Sequence, residues 1–184
     1  MKIILNGSNG RMGKEILSLI ADGYAGAELA AAVDITNTDG YKSLADFSGE
    51  ADCIVDFTHH SVTHDLLAYA TERNMPLVIA TTGHSEEELA AIREAAKKIP
   101  VFLSANMAVG VAILLEIEKL VAKMMPDADI EIVETHHNRK VDAPSGTALM
   151  LANGLKEVRP DANFVLGRSG FVLGKNGGFL PHFV

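Results

Sequence analysis

The chain has 184 residues, 48% of them hydrophobic, and a formal net charge of −8 at pH 7. That supplies core for one large domain or two small ones, and it is too acidic a balance for nucleic acid or an anionic membrane as a bulk partner. Cys53 is the single cysteine, which excludes a disulfide framework and points to a reducing, cytoplasmic setting.

Residues 2–5 form a short aliphatic run that reads as a buried strand. Polar Asn6 ends it too early for a signal peptide, and no apolar stretch is long enough to span a bilayer. The run leads into Gly7, Ser8, Asn9, Gly10, Arg11, Met12 and Gly13, spaced G-x-x-G-x-x-G. From Met12 the apolar residues Ile16, Leu19 and Ile20 keep helical spacing. A strand, a glycine turn and a helix in that order are the context a dinucleotide fingerprint requires. The glycines allow a tight turn and close backbone approach, and the helix start offers N–H groups to a pyrophosphate. A second strand over 29–33 ends in Asp34, about twenty residues on, where a carboxylate can accept from ribose hydroxyls. Ile35, Thr36 and Asn37 follow with no arginine for a 2′-phosphate. NADH is therefore expected over NADPH, with Lys42 the nearest compensating cation.

Further unbroken apolar strands are expected over 53–57, 77–80 and 101–103, alternating with helices. That pattern predicts a Rossmann-type parallel sheet with helices on both faces. Cys53 reads as an inert core thiol within the first of these strands. Ligand residues collect at the carboxyl ends of such strands, which here carry Asp56-Phe57-Thr58, Thr81-Thr82-Gly83 and Ser104-Ala105-Asn106-Met107. His59, His60 and His64 lack metal-ligand spacing and read as a solvated helix start near Val62, so no metal is expected. Ser85 and Glu88 have capping-box spacing for a helix running to about Lys98, before Pro100. From 109 to 125 an apolar stripe (Val111, Leu114, Leu115, Ile117, Leu120, Val121, Met124) predicts a core helix. Residues 129–135 then alternate as a half-exposed strand. A boundary near Met107 divides a dinucleotide-binding domain, 1–107, from an α+β substrate and oligomerisation domain, 108–184.

The densest polar stretch, residues 134–148, reads E-T-H-H-N-R-K-V-D-A-P-S-G-T-A. On extended backbone His136 and His137 point to opposite sides and so take different jobs. Histidine is a natural proton donor near neutral pH, and Lys140 can act as acid or electrostatic clamp. Ser145 is a good N-cap, leaving the N–H groups of Gly146 and Thr147 for an anion.

With the glycine turn, D-F-T, T-T-G and S-A-N-M, this stretch resembles the 4-hydroxy-tetrahydrodipicolinate reductase (dihydrodipicolinate reductase) family over roughly residues 1–170. The resemblance implies NAD(P)H-dependent reduction of a small cyclic dicarboxylate in lysine and diaminopimelate biosynthesis. It implies His136 and Lys140 as catalytic residues and His137, Gly146 and Thr147 as substrate contacts. On the cofactor side it implies Gly7, Ser8, Asn9, Gly10, Arg11, Met12, Asp34, Ala80, Thr81, Thr82, Ser104, Ala105, Asn106 and Met107. From Phe171 to the end the sequence departs from the family's pattern, so the second domain is expected to be truncated. The family's homotetramer is then not expected to be completed, and the chain is expected to bind NADH but reduce substrate poorly. The alternatives are a non-catalytic dinucleotide-binding remnant and another Rossmann-type amino-acid dehydrogenase.

Overall fold

The computed structural model describes residues 1–136, 138 and 143–166, and the backbone of 182–183. The chain divides into two compact units, Met1–Ser104 and Ala105–Val184.

The first unit is built on five parallel strands: β1 (Lys2–Asn6), β2 (Glu28–Val33), β3 (Cys53–Asp56), β4 (Leu77–Ile79) and β5 (Val101–Leu103). Their order is β2-β1-β3-β4-β5. The chain steps outward from β1 to β2 and then crosses back to β3, so the strand order reverses between β1 and β3, where open α/β sheets bind ligands. Register aligns Asn6 with Val33 and Asp56, and Asp56 with Ile79, in one terminal row. Along β1 both side-chain parities are buried, Ile4 on one side and Ile3 and Leu5 on the other, so this strand is covered on both faces.

Three helices belong to this unit: α1 (Arg11–Ala21), α2 (Thr63–Glu72) and α3 (Glu86–Ala95). The main core joins Ile4, Val33, Ile54, Leu77 and Ile79 to Leu66, Leu67 and Ala70 of α2 and Ile92 and Ala95 of α3. Each fully buried Leu or Ile contributes about 1.5–3 kcal/mol. By contrast α1 buries only Gly13, and Met12 and Leu19 stay about half exposed. The capping box forms as expected: the Ser85 hydroxyl accepts from the Glu88 N–H, and the Glu88 carboxylate accepts from the Ser85 N–H. The helix over 86–95 is shorter than the sequence indicates, because 96–99 turn out of it ahead of Pro100. A short 3-10 turn, His60–Val62, precedes α2.

The second unit holds α4 (Val109–Met124) and α5 (Gly146–Val158), with two-residue strands β6 (Glu131–Ile132), β7 (Val165–Leu166) and β8 (His182–Phe183) ordered β6-β8-β7. Gly154 lets α4 approach α5 closely, since a Cβ there would lie 2.3 Å from Leu115 Cδ1. Two expectations are corrected. The strand expected over 129–135 is confined to Glu131–Ile132, the only part that finds pairing partners among the described residues. The α4 stripe is not core: Leu114, Ile117, Leu120, Val121 and Met124 are 46–73% exposed, and only Ala122 of this helix is buried. Among the described residues of this unit the core against α4 is small, Ala122 with Leu155 and Ala162, so most of the stripe has no buried apolar partner there. Among the described residues, no helix is long and apolar enough to cross a membrane.

Candidate functional site

The glycine turn closes onto the ends of β2 and β3. Gly7 and Ser8 both donate their N–H to Val33 O, at 2.8 and 3.1 Å. Gly7 has φ +88°, and a Cβ on it would sit 2.6 Å from Phe57 O. A Cβ on Gly13 would sit 2.2 Å from Gly7 O and 2.6 Å from Ser8 O. Only hydrogen fits at either position. Gly10 caps α1 without a side chain, so the first-turn N–H groups at Arg11 and Met12 meet no capping oxygen from it. Arg11 and Met12 are exposed there. Ser8 is 1% exposed and its hydroxyl has no partner among the described residues. A free helix start and an orphaned hydroxyl together fit a phosphate-bearing ligand.

Asp34 stands beside this turn. Its Oδ2 accepts from the Asn9 N–H at 3.0 Å, and its Oδ1 accepts from the Thr36 N–H and hydroxyl at 2.9 and 2.6 Å. Partial burial opposes ionisation, but the bonds from Thr36 and Asn9 outweigh it and hold the carboxyl below its ordinary range. The Asn9 side chain reaches Thr36 and Asn37, and Asn37 donates in turn to Ala32 O and Tyr41 O. None of the described ion pairs involves Asp34, and the N–H of Lys42 donates to Asp46.

At the neighbouring strand exits Asp56 is 1% exposed. Its Oδ1 accepts from Asn6 Nδ2 and the Thr58 hydroxyl, both at 2.8 Å, and its Oδ2 from the Thr81 hydroxyl at 2.6 Å. Ala80 donates its N–H to Asp56 O, Thr81 is buried and Thr82 is exposed. His60 Nδ1 lies 3.1 Å from the Glu88 carboxylate. The Ser85 N–H and His60 hold Glu88 down to about 2. His84 is pushed below its ordinary value by burial, against Glu88. Ser104 ends the first unit, its N–H on Ile79 O.

In the second unit a polar cluster forms at the start of α5. Ser145 is 6% exposed and caps the helix, accepting from the Ala148 N–H at 3.1 Å. Its own N–H donates to Glu134 Oε1 at 2.8 Å, and its hydroxyl donates to Glu134 Oε2. The same Glu134 Oε2 lies 2.9 Å from His136 Nε2. Partial burial would raise Glu134, but the Ser145 hydroxyl, His136 and the Ser145 N–H override it and bring the carboxyl to about 2. Gly146 and Thr147 occupy the first turn of α5, and Asn106 Nδ2 donates to the Thr147 hydroxyl at 2.9 Å. Asn106 also accepts from the Ala108 N–H, while Ala105 and Met107 are exposed. His137 and Lys140 lie outside the described residues.

Two acids were given no role from the sequence: Glu134 and Asp56. The signal for Glu134 was present, because residues two apart on extended backbone share a side, which puts Glu134 beside His136. Asp56 was placed at a ligand-collecting strand end, but nothing local showed its role, since its three donors come from 6, 58 and 81.

A parallel sheet with a glycine turn at its topological switch point and an acid at the end of β2 defines the Rossmann-type class of α/β proteins. The chain belongs to the dihydrodipicolinate reductase family, whose N-terminal model matches residues 1–107 and whose C-terminal model matches residues 110–176. The second match takes in Phe171 to Asn176, so the departure from the family's pattern expected from Phe171 onward does not hold over those residues. A 4-hydroxy-tetrahydrodipicolinate reductase of Caldanaerobacter subterraneus subsp. tengcongensis is 44% identical over 174 residues, 91% of this chain and 68% of that protein. One from Clostridium tetani is 41% identical over 92% of this chain and 69% of its own length. Among solved structures, a dipicolinate-bound dihydrodipicolinate reductase from Paenisporosarcina sp. TG-14 aligns with TM-score 0.68 at 24% identity. That alignment covers 100% of this chain and 78% of the other, a likeness of fold.

Proposed function

We propose that the protein is a pyridine-nucleotide-dependent reductase of 4-hydroxy-tetrahydrodipicolinate, acting in the cytoplasm with NADH favoured over NADPH. The observation that carries this reading is the cluster at α5. Glu134 joins an imidazole, His136, to Ser145, the residue that caps α5, whose first turn carries Gly146 and Thr147 and whose N–H groups suit an anion. A proton donor and a carboxylate anchor held in one hydrogen-bonded group suit reduction of a carboxylated ring. On this reading the nucleotide is held by Gly7, Ser8, Asn9, Gly10, Arg11 and Met12 at its phosphates and by Asp34 at its ribose. Ala80, Thr81, Thr82, Ser104, Ala105, Asn106 and Met107 complete that site. The fit rests on the uncapped start of α1, the space that Gly7 and Gly13 keep open, and an Asp34 carboxylate with acceptor capacity left over. When bound, the reduced nicotinamide supplies the reducing equivalents. His136 and Lys140 supply or take the proton, and His137, Gly146 and Thr147 hold the substrate. The domains divide as 1–107 for nucleotide and 108–184 for substrate.

Asp34 also carries the cofactor preference, because its charge repels a 2′-phosphate. The test is loss of absorbance of NADH and of NADPH on the purified chain with freshly prepared substrate, with dipicolinate as inhibitor. NADH should give the higher kcat/KM. His136→Gln and Lys140→Met should each lower turnover by about 10²-fold while NADH still binds. Full rate in both variants overturns the catalytic assignment, and no substrate-dependent oxidation by the parent chain overturns the activity.

A further inference from the structure

The middle of the sheet is apolar, and in its last row a buried acid gathers side chains from the exits of three strands. Asp56 ends β3 and is 1% exposed. It accepts from Asn6 at the end of β1, from Thr58 just past β3, and from Thr81 just past β4. The backbone repeats the pattern, with Phe57 N–H on Asn6 O and Ala80 N–H on Asp56 O. Gly7 is pressed against the same point: its missing Cβ would meet Phe57 O at 2.6 Å and Thr58 Cγ2 at 3.2 Å. The glycine turn, the Phe57-Thr58 corner and the Thr81-Thr82 loop therefore all hang from one carboxylate.

A buried carboxylate adds little net stability, because desolvation offsets its hydrogen bonds. No cation is within ion-pair distance of Asp56 among the described residues. What such a group fixes is geometry: both oxygens are committed, so its three donors can move only together. We propose that Asp56 is a positioning residue for the nucleotide site, setting the spacing of the three strand exits that receive the pyridine nucleotide. The proposal rests on the nucleotide-binding reading above and adds to it a residue that touches the ligand only through Gly7, Thr58 and Thr81.

The effect falls on binding rather than on the chemical step, and that separates it from a general loss of structure. Asp56→Asn keeps the size and one acceptor oxygen, Asp56→Ala removes both acceptors, and Asn6→Ala removes one donor. Direct fluorescence titration with NADH should show Kd raised by about tenfold or more in Asp56→Ala, the scale of one charge-assisted hydrogen bond. Asp56→Asn should recover part of that loss, and Asn6→Ala should fall between it and the parent. In turnover, KM for NADH should rise with Kd. kcat at saturating NADH and KM for the dicarboxylate should stay within about threefold. Variants that are folded by circular dichroism and bind NADH within about twofold of the parent overturn the proposal. So does a loss that falls equally on kcat and on the dicarboxylate KM. Should Asp56→Ala fail to fold, Asp56→Asn and Asn6→Ala decide on the same criteria. A parent chain that does not bind NADH removes the nucleotide reading itself, a different failure from variants that bind as the parent does.

Discussion

Replacing Gly13 with alanine sets two opposing effects against each other, and the structure decides which wins. In an unobstructed helix position alanine is better than glycine by about 1 kcal/mol. Gly13 is the third residue of α1, but its added Cβ would lie 2.2 Å from Gly7 O, 2.6 Å from Ser8 O and 2.7 Å from Ser8 C. All three are backbone atoms of a turn pinned by the N–H groups of Gly7 and Ser8 on Val33 O. No flexible side-chain end is available to move aside. Overpacking of this kind costs about 1–3 kcal/mol, and opening the turn forfeits about 1 kcal/mol for each hydrogen bond released. Net destabilisation of about 2–4 kcal/mol is expected with both bonds released and the helix gain subtracted. Gly110, the second residue of α4, has nothing within 4 Å of its missing Cβ. The same substitution there should stabilise by up to about 1 kcal/mol. Urea unfolding at 25 °C followed by circular dichroism measures both changes, and an NADH titration of Gly13→Ala should show weakened binding. A Gly13→Ala chain as stable as its parent, or shifted in the same direction as Gly110→Ala, would refute the reasoning.

Two further predictions concern pH. Glu134, brought to about 2, gives stability that is complete above its ordinary value of 4.5 and is lost as pH falls through about 2. Its worth is at most about 3 kcal/mol, cut by solvent screening to about 1–2. Glu134→Gln should therefore lower unfolding free energy by about that amount at pH 7 and converge on the parent toward pH 2; a constant gap across that range contradicts it. Glu118 is the opposite case. Burial raises it to about 7 against the pull of Lys119, and its Oε1 is buried with no partner among the described residues. Its penalty is absent below 4.5 and complete above about 7, so Glu118→Gln should be the more stable chain at pH 8, by about 1–2 kcal/mol after screening, and nearly equal to the parent at pH 4. Equal stability of the two chains at pH 8 would remove that account.

The first unit was largely legible in the sequence because its signals are local. Buried parallel strands are unbroken apolar runs, and Gly7, Ser85 and Asp34 announce a turn, a cap and a strand end by residue type alone. The second unit was less legible because its pairings are not local. Nothing in the alternation of 129–135 reveals that only two residues find partners among the described ones. An apolar stripe such as that of α4 states that a helix has a greasy side without stating what lies against it. At the candidate site the sequence picked out His136, Gly146 and Thr147 by chemistry. It gave less notice of the acids that hold such groups in place, since Asp56 is defined by partners drawn from three strands.

Cys53 has a use of a different kind. It is the only thiol in the chain, it sits in β3 with hydrogen-bonded strands on both sides, and it is 8% exposed. Burial first, then the charge of Asp52, pushes its ionisation up, so thiolate, the form that alkylating reagents attack, is scarce while the strand is closed. Labelling of the native protein can then proceed only as fast as the middle of the sheet opens. The chain carries its own chemical stopwatch, one reactive atom whose modification rate counts openings of the strand that ends in Asp56.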